Sequence, residues 1–369
     1  MKSGLKKALS LLSAFCVAFS MTGCFDLYRT INKDKNINDL KAEISEGNFV
    51  EEWTGDIPAG KKVRYVLARD VNVGVNDIKN VNEYEYDDNG NRTFFYYKTS
   101  NFEIRREITY NDGGLITGIK QQYTRSSGSS GARRNYDYKF DYNGKGHLVY
   151  FKSTEGDAVY ETDYEYDEEG HLVFSYYRPA DKTTKYQNEL PQTYYCVTVD
   201  PDFDSPEPDI VKRTYDENGL VRTEVNGNKT TTYEYSGTKM TGYSIATNDA
   251  VAYYDADGRI LRRKNTGSGG TAEYTYNEHG DMVLHTYTSN GEVTEKIEMT
   301  YVYDSNGNKT SETEKSWRKT YKGEENTSVT SIIYTYDANG LLVTEEKQNG
   351  NGGQMYLKAY FYKAILVSE

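Results

Sequence analysis

The chain repeats one short pattern nine times: an aromatic residue, then Asp or Asn, then two variable residues, then Gly. The copies begin at Tyr86, Tyr110, Tyr142, Tyr166, Tyr215, Tyr254, Tyr276, Tyr303 and Tyr336, and an incomplete tenth lies at Tyr235-Ser236-Gly237. Recurrence of this kind is typical of repeat architectures, in which each unit buries its apolar face against its neighbours.

Each copy predicts a hairpin loop. An Asp or Asn at the first turn position can accept a hydrogen bond from the backbone two residues on, and the Gly can adopt the left-handed conformation that strains other residues. Together they predict a type I turn followed by a G1 bulge. The predicted turn residues are Asp87, Gly90, Asn111, Gly114, Asn143, Gly146, Asp167, Gly170, Asp216, Gly219, Asp255, Gly258, Asn277, Gly280, Asp304, Gly307, Asp337 and Gly340.

The turn also predicts which residues face each other across the hairpin. The residue two after each Gly should oppose the Tyr, and it is apolar in seven copies: Ile116, Leu148, Leu172, Val221, Ile260, Met282 and Leu342. Further expected pairs are Asp87–Asn91, Tyr86–Arg92, Tyr84–Phe94, Phe140–Tyr150, Tyr164–Phe174 and Tyr274–Leu284. Each hairpin is therefore expected to have one aromatic and aliphatic face and one polar face.

These hairpins predict an all-β fold, a long antiparallel meander of about twenty strands. The chain has 37 Tyr and 32 Gly but only 6 Pro. Because a flat sheet of this size would expose its whole tyrosine face, we expect it to curl into a shell-, spiral- or barrel-like sheet with a Tyr-lined interior. Buried tyrosine hydroxyls need partners, so the expected interior is partly hydrated.

The repeat resembles the YD repeat of the RHS/YD family. The resemblance is carried by Tyr164-Glu165-Tyr166-Asp167-Glu168-Glu169-Gly170-His171-Leu172 and by Tyr253-Tyr254-Asp255-Ala256-Asp257-Gly258-Arg259-Ile260, and it covers residues 82–345. It implies successive hairpins that form a spiralling strip of sheet. Some members of the family enclose a toxin, and others contact partners or glycans at cell surfaces. The irregular spacing of the copies favours a shorter curled sheet, and no toxin-like segment follows Gly340.

The N-terminus resembles a bacterial lipoprotein signal. Three lysines precede an apolar stretch that is too short to span a bilayer, and Met21-Thr22-Gly23-Cys24 then resembles a lipobox. The resemblance implies that Cys24 is acylated, for example with palmitate, and becomes the new N-terminus. Two or more acyl chains anchor a protein stably, so we expect an extracytoplasmic protein tied to a bacterial membrane. An ordinary secretory signal is the alternative.

Composition divides the chain into five segments. They are a signal peptide (1–23), a polar tether with a short helix near 38–45 (24–48), opening strands and a first repeat block (49–177), a Pro-rich insertion (178–209), and a second repeat block with a closing strand (210–369). Removing residues 1–23, which hold three lysines and no acid, changes the net charge from −12 to −15. An acidic protein of this kind repels nucleic acid, so no nucleic-acid partner is expected.

No catalytic, cofactor-binding or metal-binding residue is predicted. Asp255 and Asp257 suggest a calcium loop, but the twelfth position is Thr266 rather than a bidentate Glu. His147, His171, His279 and His285 show no zinc-binding spacing. Only Cys196 remains after loss of the signal and lipidation, so no intramolecular disulfide is expected.

The sequence therefore favours a non-enzymatic binding or scaffold module for a glycan or protein of the cell envelope. Aromatic residues outside the repeat are candidate contacts: Trp53, Tyr186, Tyr194, Trp317 and Tyr321. A carbohydrate-active enzyme with carboxylates from different hairpins is the alternative. An outer-membrane barrel is disfavoured because such barrels confine their aromatic residues to girdles.

Overall fold

The chain folds almost wholly into antiparallel strands. A computed structural model describes residues 37–125, 133–178, 182–186, 193–199, 207–267 and 269–368. Within these ranges one helix, α1 (Ile37–Glu46), precedes 25 strands that belong to a single sheet. The expected all-β meander is confirmed, with more strands than the sequence suggested.

Every repeat copy connects two consecutive strands of this sheet. The strands are β1 (Val50–Glu51), β2 (Lys61–Gly74), β3 (Ile78–Tyr86), β4 (Arg92–Thr99), β5 (Phe102–Tyr110), β6 (Ile116–Arg125), β7 (Arg133–Tyr142), β8 (Leu148–Glu155), β9 (Ala158–Tyr166), β10 (Leu172–Arg178), β11 (Lys182–Lys185), β12 (Thr193–Thr198), β13 (Asp209–Tyr215), β14 (Val221–Asn226), β15 (Lys229–Ser236), β16 (Lys239–Ala246), β17 (Ala250–Asp255), β18 (Ile260–Asn265), β19 (Thr271–Tyr276), β20 (Met282–Ser289), β21 (Glu292–Tyr303), β22 (Lys309–Lys319), β23 (Glu325–Tyr336), β24 (Leu342–Asn349) and β25 (Gln354–Ser368).

The sheet is a strip whose middle joins the two ends of the chain. Strand β2 pairs with β25 through 13 residue pairs, from Lys61–Ser368 to Gly74–Tyr356. From this seam the strip runs through β3 to β11 in one direction and through β24 to β12 in the other. No ladder joins β11 to β12 among the described residues, so the curled sheet does not close.

The main core lies on the tyrosine face of the first repeat block. Its buried members are Ile108, Ile116, Ile119, Tyr138, Phe140, Leu148, Phe151, Tyr164 and Leu172. Side chains from the far end of the strip pack on them, including Tyr195 and Val197 of β12 and Ile210 of β13. The strip therefore curls so that its tyrosines line an interior. Along β14–β24 the tyrosines are only partly buried.

A second core lies under helix α1, on the opposite face of the sheet. Leu40 and Ile44 pack on Val71, Val73 and Phe361. The short helix expected near residues 38–45 is confirmed, and it contacts β2 and β25 directly. Helix α1 thus covers the seam between the first and last long strands.

The hairpins contain a second bulge that corrects the expected register. The first pair forms as predicted, for example Tyr86 with Arg92 and Tyr142 with Leu148. One residue is then inserted in the outgoing strand, which shifts every later pair by one position. Four predicted pairs are therefore wrong: Tyr84–Phe94, Phe140–Tyr150, Tyr164–Phe174 and Tyr274–Leu284. The observed pairs are Tyr84–Phe95, Phe140–Phe151, Tyr164–Ser175 and Tyr274–His285.

The same shift occurs in all nine complete copies and at Tyr235. It is therefore part of the repeat. Because side chains alternate along a strand, the extra residue changes which outgoing side chains share the tyrosine face. In β4, Phe95 and Tyr97 lie on this face with Tyr84, whereas Phe94 and Tyr96 lie on the other.

Candidate binding groove

The predicted turn residues form the corners of the hairpins. All nine repeat glycines have positive φ, between 75° and 95°. In the Tyr254 copy, Asp255 Oδ1 accepts hydrogen bonds from the backbone N–H groups of Asp257 at 3.0 Å and Arg259 at 2.9 Å. The Asp or Asn side chain and the left-handed Gly thus shape the turn together, as their chemistry predicts.

One arginine forms ion pairs with both carboxylates of the suggested calcium site. Arg259 Nε lies 2.6 Å from Asp255 Oδ2, and its Nη2 lies 2.8 Å from Asp257 Oδ2. Burial alone would raise the pKa of Asp255, but the hydrogen bonds and charge of Arg259 hold it below its ordinary value. Both carboxylates therefore have a partner within the turn.

One histidine lies beside two acids at the Tyr166 turn. Ligand atoms of Asp167, Glu169 and His171 lie within 4.8 Å of one another. Asp167 Oδ1 accepts the backbone N–H of His171 at 2.7 Å, and its Oδ2 lies 3.1 Å from Nδ1 of that ring. The imidazole stacks on Tyr194 with a centroid distance of 3.6 Å. These contacts account for the cluster as turn structure, and we assign no metal to it.

Tyrosine hydroxyls connect successive hairpins. Tyr110 donates to the carbonyl of Arg92 at 2.9 Å, Tyr166 to Leu148 at 2.7 Å and Tyr276 to Ile260 at 2.7 Å. Tyr336 and Tyr362 make the equivalent bonds to Lys309 and Leu342. Each acceptor is the residue two after a turn Gly, where the second bulge disturbs the ladder and leaves a carbonyl to be satisfied. Burial raises the pKa of these hydroxyls.

The five aromatic residues predicted as contacts do not converge on one site. Trp53 and Tyr321 are exposed, whereas Tyr186 packs on the main core and bonds Ser175 at 3.0 Å. Tyr194 stacks on His171, and Trp317 Nε1 donates to Glu325 at 3.2 Å. Three of the five therefore have structural partners, and the other two lie apart on the surface.

A groove of about 880 Å³ opens beside the main core, on the tyrosine face of β3–β7. Six aromatic residues line it: Tyr84, Phe95, Tyr97, Phe102, Tyr123 and Tyr136. Each is partly exposed. A cleft of this volume, lined by aromatic rings with a few polar groups, is typical of ligand sites.

Five of the rings form a continuous row across four strands. The centroid distances are 5.6 Å for Tyr84–Phe95, 6.4 Å for Phe95–Tyr97, 5.6 Å for Tyr97–Phe102 and 5.6 Å for Phe102–Tyr123. Each ring packs against its neighbours, so the row presents one continuous aromatic surface.

Planar polar side chains lie beside the row. Buried Arg106 donates to Gln121 Oε1 from Nε at 3.0 Å and from Nη2 at 2.6 Å. At one end, Asn82 Nδ2 and the hydroxyl of Tyr84 both bond Asp70 at 3.0 Å. Asn82 Oδ1 is buried with no hydrogen-bond partner in the described structure. The groove thus combines apolar ring surface with fixed amide and guanidinium groups.

Sequence reasoning missed this groove. Most of its rings lie outside the repeat motif, and the expected register placed Phe94 rather than Phe95 on the tyrosine face. The dense aromatic run Phe94-Phe95-Tyr96-Tyr97, followed by Phe102, was a usable signal. Assigning these rings to a face of the sheet required knowledge of the second bulge, and no local sequence pattern predicts that bulge.

The structure describes one of the two cysteines that the sequence analysis discusses. Cys24, the predicted lipidation site, lies outside the described residues. Cys196 is partly buried, its Sγ lies 3.7 Å from the carbonyl of Val211, and burial raises its pKa. Within the described ranges, no helix has the length and apolarity needed to cross a membrane.

Comparison with known proteins gives only weak likeness. No family model matches the chain, and no curated protein matches it. A crystal structure of TcdB2-TccC3-Cdc42 is similar at 11% identity and a TM-score of 0.26, over 75% of this chain and 22% of that chain. The Tc holotoxin pore of Photorhabdus luminescens is similar at 12% identity and a TM-score of 0.26, over 75% and 22%.

A porin-like protein from Bacteroides vulgatus is similar at 13% identity and a TM-score of 0.27, over 80% of this chain and 98% of that chain. The chain spans less than a quarter of the length of the toxin chains it matches. TM-scores this low carry no argument about family or function. Similarity to the RHS/YD family therefore remains a resemblance.

Proposed function

We propose that this protein is a lipid-anchored, extracytoplasmic binding module that holds a glycan in the aromatic groove and catalyses no reaction. The observation that carries the proposal is the row of five supported rings, partly exposed on the concave face of the sheet. Ring surfaces stack on the apolar faces of sugars, while the amide and guanidinium groups beside them can bond hydroxyls.

The groove favours a sugar chain over a purely apolar ligand. Asn82 Oδ1 lines the groove and is buried with no hydrogen-bond partner in the described structure, so a purely apolar ligand would leave this acceptor unsatisfied. An extended chain also suits a row that crosses four strands. A binding role at the cell envelope agrees with the lipobox-like segment that ends at Cys24.

A binding screen tests the proposal. Full-length protein in mild detergent is applied to an array of cell-envelope and other glycans, beside Tyr97→Ala and the exposed-ring control Tyr321→Ala. We expect one class of glycan to bind, with about tenfold loss in Tyr97→Ala because one stacking ring is removed. The control should bind like the parent protein.

Two results would contradict the proposal. One is the absence of any glycan bound above background by the folded protein. The other is turnover of a bound glycan that a single Asp or Glu substitution abolishes, since this would identify a carbohydrate-active enzyme.

A further inference from the structure

The groove carries positive charge in an acidic protein. The chain has 56 Asp and Glu against 44 Lys and Arg. Yet Arg106, Arg125 and Arg134 line the groove, and no carboxylate is among the described residues that line it. Local charge of this sign is therefore a property of the groove and not of the surface as a whole.

Two of these arginines lie together at one end. Across the sheet, Arg125 pairs with Phe102 and Arg134 pairs with Tyr123. Both are exposed, and the side chain of Arg134 keeps 59% of its surface accessible although it lies 3.6 Å from Glu155. An arginine presents a planar fork of donors that matches the two oxygens of a carboxylate.

The other end of the groove is less positive, because it includes a buried carboxylate. Asp70 is only 3% exposed, and it accepts hydrogen bonds from Asn82 and Tyr84, which line the groove. A buried carboxylate disfavours a second negative charge nearby. The guanidinium carbon of Arg92 lies 5.9 Å from the centroid of the Tyr84 ring, so this end holds charges of both signs, whereas the far end holds two exposed arginines.

We propose that the groove selects a glycan with a carboxylated sugar, bound between Arg125 and Arg134, and neutral sugars that extend along the rings toward Tyr84. This inference rests on the proposed glycan binding and adds the chemical class of the ligand. A single-stranded nucleic acid fits less well, because its phosphate at every nucleotide would place one near Asp70.

The experiment compares matched ligands. Uronate-containing hexasaccharides of hyaluronan, chondroitin and heparosan are each titrated calorimetrically into the full-length protein, beside the same sugar with its carboxylates reduced to hydroxymethyl groups. At least one acidic hexasaccharide should bind about tenfold more tightly than its reduced form, because a charge-assisted contact is lost. This preference should weaken as salt rises.

Arg125→Gln and Arg134→Gln should each abolish most of the preference, because they should weaken binding of the acidic sugar about tenfold more than binding of its reduced form. The matched control is Arg133→Gln, an exposed arginine that neighbours Arg134 on β7 and therefore lies on the other face of the sheet. It should keep the preference.

The outcomes separate the two proposals. Equal affinity for acidic and reduced sugars would overturn the selectivity and leave glycan binding intact. Failure of all these saccharides would overturn the selectivity, and failure of every glycan on the array as well would overturn both proposals. Tighter binding of a hexathymidylate than of any acidic sugar would replace the glycan with a nucleic acid as the groove's ligand.

Discussion

Among single residues, the turn glycines and the interior tyrosines stabilise the backbone in different ways. A glycine supplies a conformation, since its positive φ allows the chain to reverse within the turn. A tyrosine supplies a donor, since its hydroxyl reaches a carbonyl of the preceding hairpin. The left-handed glycine and the hydroxyl–carbonyl hydrogen bond recur in several copies. A substitution in one copy therefore tests a feature of the repeat.

The Tyr142 turn offers a matched test of the backbone demand. Gly146 has φ of +84°, whereas Gly144, in the same turn, has no positive φ and open space around the position of a Cβ. We expect Gly146→Ala to lower the free energy of unfolding by about 1–2 kcal/mol because Ala resists the left-handed conformation. Gly144→Ala should change it by less than about 0.5 kcal/mol. Urea denaturation of both variants measures the difference, and equal effects would contradict the turn geometry.

The hydroxyl of Tyr166 tests the bond between hairpins. It donates to the carbonyl of Leu148, a residue that is 3% exposed. We expect Tyr166→Phe to destabilise the protein by about 1–2 kcal/mol because the buried acceptor loses its partner. Tyr321→Phe, at a ring that is 94% exposed, should have no measurable effect in the same thermal and urea titrations. An unchanged free energy of unfolding in Tyr166→Phe would show that this hydrogen bond does not stabilise the protein.

The hairpin is the element that sequence reasoning described best, but only near its turn. The pair Tyr86–Arg92 follows from local turn chemistry and was predicted. The pair Tyr84–Phe95 was not, because the second bulge shifts the register, and the carbonyl beside this bulge is satisfied from outside the hairpin. The carbonyl at Arg92 accepts the hydroxyl of Tyr110, which belongs to the next repeat. Local residue patterns carry no signal for a partner of that kind.

Helix α1 is the other informative element. Its helical spacing of Leu40 and Ile44 predicts an apolar stripe, yet the sequence alone placed it in a tether. The stripe packs on β2 and β25, which are distant in sequence and meet only in the folded sheet. The contact therefore could not be read from the helix itself.

Leu40 tests whether the helix stabilises the seam. It is 3% exposed, and we expect Leu40→Ala to lower the free energy of unfolding by about 2–5 kcal/mol because it leaves a cavity under the helix. Glu46→Ala, at an exposed position of the same helix, is the control. Hydrogen exchange should show the loss in β2 and β25 first. Unchanged protection in those strands would mean that the helix rests on the seam without stabilising it.

At the scale of the whole molecule, tyrosine side chains contribute both to the buried core and to the lining of the aromatic groove. The sequence predicted the all-β class and the curled tyrosine-lined sheet, because these follow from composition and a recurring pattern. It did not predict the groove, whose lining comes from five strands that the curl and the second bulge bring together. Rings such as Phe95 and Phe102 look like ordinary strand residues until the register is known.

Buried tyrosines predict a loss of stability at high pH. Burial raises the pKa of Tyr86, Tyr142 and Tyr166 above the ordinary value of 10.0. Burial together with the hydrogen bond to Glu161 raises the pKa of Tyr150 to about 12. Below pH 10 the hydroxyls are protonated in both states, so their contribution is constant. As pH rises above 10 the unfolded chain ionises first, and the free energy of unfolding falls.

We therefore expect a melting temperature that is steady from about pH 7 to 9 and falls above about pH 10, together with tyrosinate absorbance. Burial lowers the pKa of Lys363, which opposes this trend, but it is a single group against many tyrosines. A melting temperature that stays constant to about pH 11 would contradict the account of the interior.

Hydroxyl-radical footprinting tests the central claim, that the aromatic groove is where a glycan binds. Full-length protein is oxidised with and without the best ligand from the glycan screen, and mass spectrometry then reports the oxidation of each ring. We predict that the ligand protects Tyr97, Phe102 and Tyr123, while Trp53 and Tyr321 are oxidised to the same extent as before. Protection confined to Trp53 or Tyr321, with the groove rings unchanged, would contradict it.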